Sequence, residues 1–245
     1  MKFFHDLELI NPSIIGWYVR LRVVRSFVVH LNALSKIVGL VLADEHGVTV
    51  DAMIEKEFAD YDNEFIDAGD WITIMRFGVY PNSNPVRVTC HKFKICFFKD
   101  TVVRKTTVVV ANPHYTLTYF SSIIDDEIDT SVLINLVGAI HDVGEVENTR
   151  RTQNIVNDLR ICFKLKNKDN CVLECLASGK QALDFSQNYH SRGSGVIVAV
   201  LGWWKLDHYF DCPKNMQICT YSFNIMKIAK RNTWFFMAYY INIYS

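Results

Sequence analysis

One kind of segment occurs twice in this 245-residue chain, in the same order, and no other feature narrows its possible folds as much. The first copy opens on an alternating run from Trp17 to Arg25. Side chains on a strand alternate between faces. Trp17, Val19, Leu21 and Val23 therefore line a core, while Tyr18, Arg20, Arg22 and Val24 face outward, with Arg25 entering a loop over residues 26–37. A second strand (39–43), a tight turn (44–47) and a third strand (48–54) follow. Residues 55–66 read as a charged helix with Phe58, Tyr61 and Phe65 on one side, expected to plug the core. A fourth strand covers 71–77. A turn at 81–85 leads to a last strand built from 86–89 and 93–98. The second copy repeats the pattern: a strand at 133–140, a polar loop at 144–157, a strand at 159–165, a turn at 167–170 and a strand at 171–177. A helix near 181–189, a strand at 196–201, a loop at 207–215 and a strand at 216–223 complete it.

Three strands, a helix and two more strands is the element order of the OB-fold, a small barrel that presents one face and two loops to oligonucleotides. The expected fold is mainly β: two tandem five-stranded OB barrels, each with a short helix between strands three and four. The expected domains are residues 1–110 and 131–227. An acidic, solvated linker at 111–130 joins them, and an apolar tail at 228–245 ends the chain. Two such barrels in series suggest a binding track, not a catalytic cleft.

Bulk composition fits a folded, core-rich chain: half the residues are hydrophobic, 13% are aromatic and mean hydropathy is +0.08. Twenty-six basic residues balance 26 acidic ones. That neutrality counts against nucleic-acid binding, although a local basic stripe can supply a field that the total hides. The seven cysteines are odd in number and scattered, as in a reducing compartment. Cys171 and Cys175 lack a matching second pair for zinc, so no metal and no cofactor is expected. No nucleophile constellation or phosphate-cradling loop stands out, and an enzyme is not expected. The first residues lack the apolar core of a signal peptide. The aromatic tail is too short for a spanning helix, so no membrane partner is expected.

With these segments placed, the chain resembles the large subunit of replication protein A, and within it the divergent plant-type branch, over its first two OB-fold domains. The resemblance rests on residues 17–23, 41–47, 68–71, 79–83 and 91–95, and in the second copy on 133–138, 203–205 and 214–220. It implies a nuclear single-stranded DNA-binding protein acting in DNA replication, repair and recombination, with other replication protein A subunits or repair proteins as partners. RNA stays an open alternative, because charge and stacking act on both nucleic acids.

Single strands are held by cations on phosphates and by aromatic faces on bases. The candidate phosphate contacts are Arg20, Arg22, Arg25, Arg87, Lys92 and Lys94 in the first copy and Arg150 and Arg151 in the second. The family places one stacking ring just after strand three and one near the loop between strands four and five. The matching positions are Ile54 and Val86 in the first copy, both aliphatic, and Ala177 and Tyr209 in the second, with Phe210 as an alternative register to Tyr209. Trp203 and Trp204 are adjacent on a strand, so one is expected inside the barrel and one outside, either to stack a base or to pack against the linker or the neighbouring barrel. The first barrel is thus expected to supply mainly charge and the second mainly stacking. The missing rings and zero net charge leave a competing reading, a degenerate OB-fold protein-interaction module.

Overall fold

The computed structural model describes residues 4–32, 35–54, 66–109, 116–148, 159–191, 195–206, 217–219, 225–229 and 241–242. The chain divides into two compact units, Met1–His114 with Tyr240–Ser245, and Tyr115–Tyr239. Each is a curled, mainly antiparallel sheet of OB topology.

In the first unit, β1 (Tyr18–Asn32), β2 (Ser35–Ala43) and β3 (Thr49–Ile54) form a meander. β4 (Trp71–Met75) returns to pair with β1, and β5 (Gly78–Pro81) pairs with β6 (Phe93–Phe97). β6 runs parallel to β3. β4 and β5 are two halves of one run, broken at Arg76, whose φ is 56°. With β4 and β5 nearly continuous in the chain, the strand order β5-β6-β3-β2-β1-β4 curls the sheet into a barrel arrangement. β7 (Val102–Lys105) adds to β4 outside the ring. The alternating residues Val19, Leu21 and Val23 pack with Leu40, Leu42, Ile72, Ile74 and Ile95 in one core, as the sequence pattern predicts.

The second unit repeats the plan. β8 (Ile134–His141), β10 (Leu159–Lys166) and β11 (Val172–Ser178) stand where β1, β2 and β3 do. Between β8 and β10, the short β9 (Glu147–Asn148) pairs with the start of β10. β12 (Val198–Trp204) pairs with β8, and β13 (Gln217–Cys219) runs parallel to β11. β14 (Ile225–Ala229) lies against β12 just as β7 lies against β4. The helix between strands three and four is α2 (Lys180–His190), whose Ala182 and Phe185 are buried. Its expected counterpart at 55–66, with Phe58, Tyr61 and Phe65, lies almost wholly outside the described residues.

Even the turns match. Asp44 Oδ1 accepts hydrogen bonds from the amides of His46 and Val48, two and four residues on. Asn167 Oδ1 accepts from Asp169 and Cys171 in the same pattern. The third residue after each takes positive φ, 89° at Gly47 and 64° at Asn170, the residue types that tolerate it.

Three expectations need correction. Residues 26–32 are strand, not loop: β1 and β2 continue as a hairpin arm as far as Asn32 and Ser35. Phe27, Val28 and Val29 suit a pleated ladder better than a loop. Residues 120–124 are not solvated linker but a short helix, α1 (Phe120–Ile124), whose Phe120 and Ile123 are buried in the second core. Leu7 and Ile10 have the same spacing on the first core. Apolar residues at that spacing share one side of a helical turn. Residues 86–89 belong to no strand, and the last strand starts at Phe93. In the tail, Ile241 and Asn242 form β15, a parallel bridge to β1 at Val29 and His30.

Candidate nucleic-acid interface

A bulge builds the outer face of the first barrel. Val23 pairs with Leu42, yet Arg25 pairs with Val41, so Val24 is one residue too many. Directly paired residues share a face. Leu42 is in the core and Val41 is on the other side, so the bulge turns Arg25 outward. Arg20, Arg22, Arg25 and Phe27 consequently share one face, although alternation counted from Trp17 would put Arg25 inside. Arg25 is thus a strand residue, not the loop residue that the sequence pattern suggests.

Register extends this face across the sheet. One row reads Arg25, Val41, Asp51, Lys94, Tyr80 over β1, β2, β3, β6 and β5. The next reads Phe27, Gly39, Met53, Cys96, Gly78. Phe27 covers Gly39, and Tyr80 with Phe98 covers Gly78. Motif matching misses these rings because the family's aromatics stand on other elements. The period-two rule gives Tyr80, but Phe27 needs the bulge.

The expected cations are not equivalent. Arg20 pairs with the Glu45 carboxylate and lies over the Phe4 ring, 4.7 Å from its centroid. That pairing neutralises it and makes it the weakest phosphate contact of the set. Arg22 is half-buried. Arg25 is only 3% exposed, its guanidinium carbon 5.8 Å from the Phe27 centroid, a cation–π distance. Lys92 is exposed, and Lys94 and Arg87 are half-buried.

Asp51 lies under this face. It accepts a hydrogen bond from Asn82 Nδ2 at 2.5 Å, which fastens the loop between β5 and β6 to β3. Burial pushes its carboxyl above the usual carboxylate range. The Asn82 hydrogen bond, the nearby amides of Val88 and Thr89 and the Arg87 charge pull the other way without offsetting burial. The fold thus favours the protonated form. The stability this group contributes is full below about pH 3.8 and is lost as pH rises through its raised folded value. Asp51→Ala leaves the buried Asn82 amide without its acceptor, at a cost of about 1–3 kcal/mol. Thermal melts should show that deficit in acidic buffer and a narrowing gap from wild type as pH rises. A gap that widens with pH would contradict the assignment.

In the second barrel both tryptophans are buried, Trp203 at 5% and Trp204 at 0% exposure. The expected outward ring is absent because the β8–β12 register shifts between Leu201 and Trp204. Trp203 adopts φ 57°, its amide donating to Asn135 Oδ1 at 3.0 Å, which breaks the alternation. Trp204 packs edge-on against Phe163, 5.8 Å between centroids.

Ile54 and Ala177 also sit in the two cores at 0% exposure. The strand-three positions matched to stacking residues therefore face inward in both barrels. Outward from β10 point Arg160, Cys162, Lys164 and Lys166, alternating with the core residues Ile161, Phe163 and Leu165. Lys164 is held by Asp142 at 3.0 Å. These cations are legible by the same alternation as Arg20 and Arg22, but no matched motif marks them. Arg150, Arg151, Tyr209 and Phe210 lie outside the described residues. Among the described residues no cluster of His, Cys, Asp or Glu is placed to hold a metal ion.

A family profile described as "Domain of unknown function DUF223" matches residues 8–126. No curated protein sequence matches the chain. Among solved structures, a replication protein A heterotrimer bound to single-stranded DNA is similar at TM-score 0.55 and 15% identity. The similarity covers 94% of this chain and 52% of that one, so this chain spans about half the length of the chain it matches. The DNA-binding domain A of S. cerevisiae replication protein A is similar over 43% of this chain and 96% of its own, at TM-score 0.35 and 19% identity. Fission yeast Pot1 with single-stranded DNA is similar over 92% of this chain and 87% of its own, at TM-score 0.36 and 6% identity. The heterotrimer match agrees with the OB topology traced above.

Proposed function

We propose that the chain binds single-stranded nucleic acid, DNA in the first instance, on the outer faces of its two OB barrels. The observation that carries this reading is the face of the first barrel. There the Val24 bulge brings Arg22, Arg25 and Phe27 onto one side, with Lys94 and Tyr80 across the sheet. Cations and rings together on one OB face are what a flexible strand needs. The likeness to a replication protein A chain supports a role of the large-subunit type, in the nucleus, in DNA replication, repair or recombination. The plant-type branch and partnership with other subunits of that assembly belong to the same proposal.

One observation favours a second reading, a protein-interaction module. Arg20 is neutralised by Glu45, and the central position of the face is held by the buried Asp51 and not by a cation. A titration of the intact chain with oligo-dT and with duplex separates the two. On this reading six cations, Arg22, Arg87, Lys92, Lys94, Arg160 and Lys166, meet phosphates. At about 0.7 per phosphate, the slope of log affinity on log salt should be roughly −4 for a single strand. Affinity should then fall by a factor of roughly 300 between about 50 and 200 mM salt. Equal affinity for duplex, or a slope near zero, would put the interaction module first. Oligo-U beside oligo-dT tests RNA.

A further inference from the structure

The strand-three positions that match the family's stacking rings hold Ile54 and Ala177, and both point into cores. No ring there could meet a ligand. The first barrel instead carries rings over bared backbone. A Cβ built on Gly39 would collide with the Phe27 ring. One built on Gly78 would come within 2.6 Å of Tyr80 and 2.7 Å of Phe98. Both glycines lie on one outward row, with Met53 and Cys96 between them. Only glycine lets a ring lie so close to the strand.

Rings often cover strand glycines simply to restore packing. Two features go beyond that. Tyr80 is 46% exposed, although it meets Phe98 edge-on at 6.3 Å between centroids. And both ring sites share their face with Arg22 and Lys94, half-buried cations on the same outer face.

We infer that base stacking in the first barrel is carried by two ring-over-glycine platforms, Phe27 on Gly39 and Tyr80 with Phe98 on Gly78. The ligand class is a strand with unpaired bases, since paired bases expose no faces. The inference rests on the single-strand reading above.

The test uses the full chain, oligo-dT and an abasic strand of equal length, with anisotropy read at several salt concentrations. Phe27→Leu and Tyr80→Leu keep an apolar cover but remove the π-face. Each should weaken oligo-dT binding by about 5- to 150-fold, the range for removing one stacked base, and leave the salt slope unchanged. On the abasic strand both variants should bind like wild type. Gly39→Ala keeps the Phe27 ring but displaces it, and should weaken oligo-dT binding in the same way.

Three results would overturn the inference while leaving the single-strand reading intact. The Leu variants bind oligo-dT like wild type; or they lose affinity equally on both strands; or wild type prefers neither strand. The last comparison needs no variant and holds even if a substitution prevents folding. A wild-type chain that binds no oligo-dT sinks both readings.

Discussion

Trp204→Ala should destabilise the second barrel by about 3–5 kcal/mol. Domains of ordinary size have only about 5–15 kcal/mol in total. Trp204 is fully buried, edge-on to Phe163, which is itself stacked on Phe185 with 4.2 Å between centroids. Removing the indole empties the centre of that aromatic cluster. Trp204→Phe should behave differently. It keeps an apolar ring there and removes an indole N–H that has no hydrogen-bond partner among the described residues. A buried unpaired N–H is itself unfavourable, so the smaller ring recovers part of what its smaller volume costs. Denaturant unfolding of the three proteins checks this, with Ala far below wild type and Phe close to it. If Ala melts with wild type but loses nucleic-acid affinity, the tryptophan faces a ligand after all.

That contrast shows where sequence periodicity is sufficient. Alternation places Val19, Leu21 and Val23 in a core, and the two equivalent turns at Asp44 and Asn167 are visible as a repeat. Both depend on local rules, a period of two and side chains that cap their own backbone. Alternation fails once a strand gains a residue. The bulge at Val24 carries Arg25 and Phe27 to the outer face, and the irregularity before Trp204 buries both tryptophans. Neither is marked by residue type, because a bulge is settled by the register of two strands and not by one. The same limit explains Ile54 and Ala177. Resemblance aligns them to outward-facing residues, while their partners Val38 and Ile161 place them inside. α1 escapes the sequence for another reason. Acidic neighbours dominate its composition, and only the spacing of Phe120 and Ile123 signals burial.

The outer faces add to the expected division of labour. Motif and charge assign phosphate binding to the first barrel, whose outer face also holds rings beside Arg22 and Lys94. They assign stacking to the second, yet its two tryptophans are core and its β10 displays Arg160, Lys164 and Lys166. Lys164 is held by Asp142, and that pairing raises the lysine's pKa and lowers the carboxyl's. It is therefore the least ready of the three to exchange partners. Arg160 and Lys166 remain as candidates for phosphate binding. Removing one phosphate-binding cation should cost about fivefold in affinity near 0.1 M salt and flatten the salt slope by about 0.7. Arg160→Ala with Lys166→Ala should then weaken oligo-dT binding by roughly 25-fold and reduce the slope by roughly 1.4. Both residues are half-buried strand positions off the core, so the double variant should melt near wild type. The diagnostic is the pairing of the two readouts. Weaker binding with an unchanged slope would mean that the pair acts through β10 packing. Unchanged binding would confine phosphate recognition to other cations, and the second face would then be free to meet a protein.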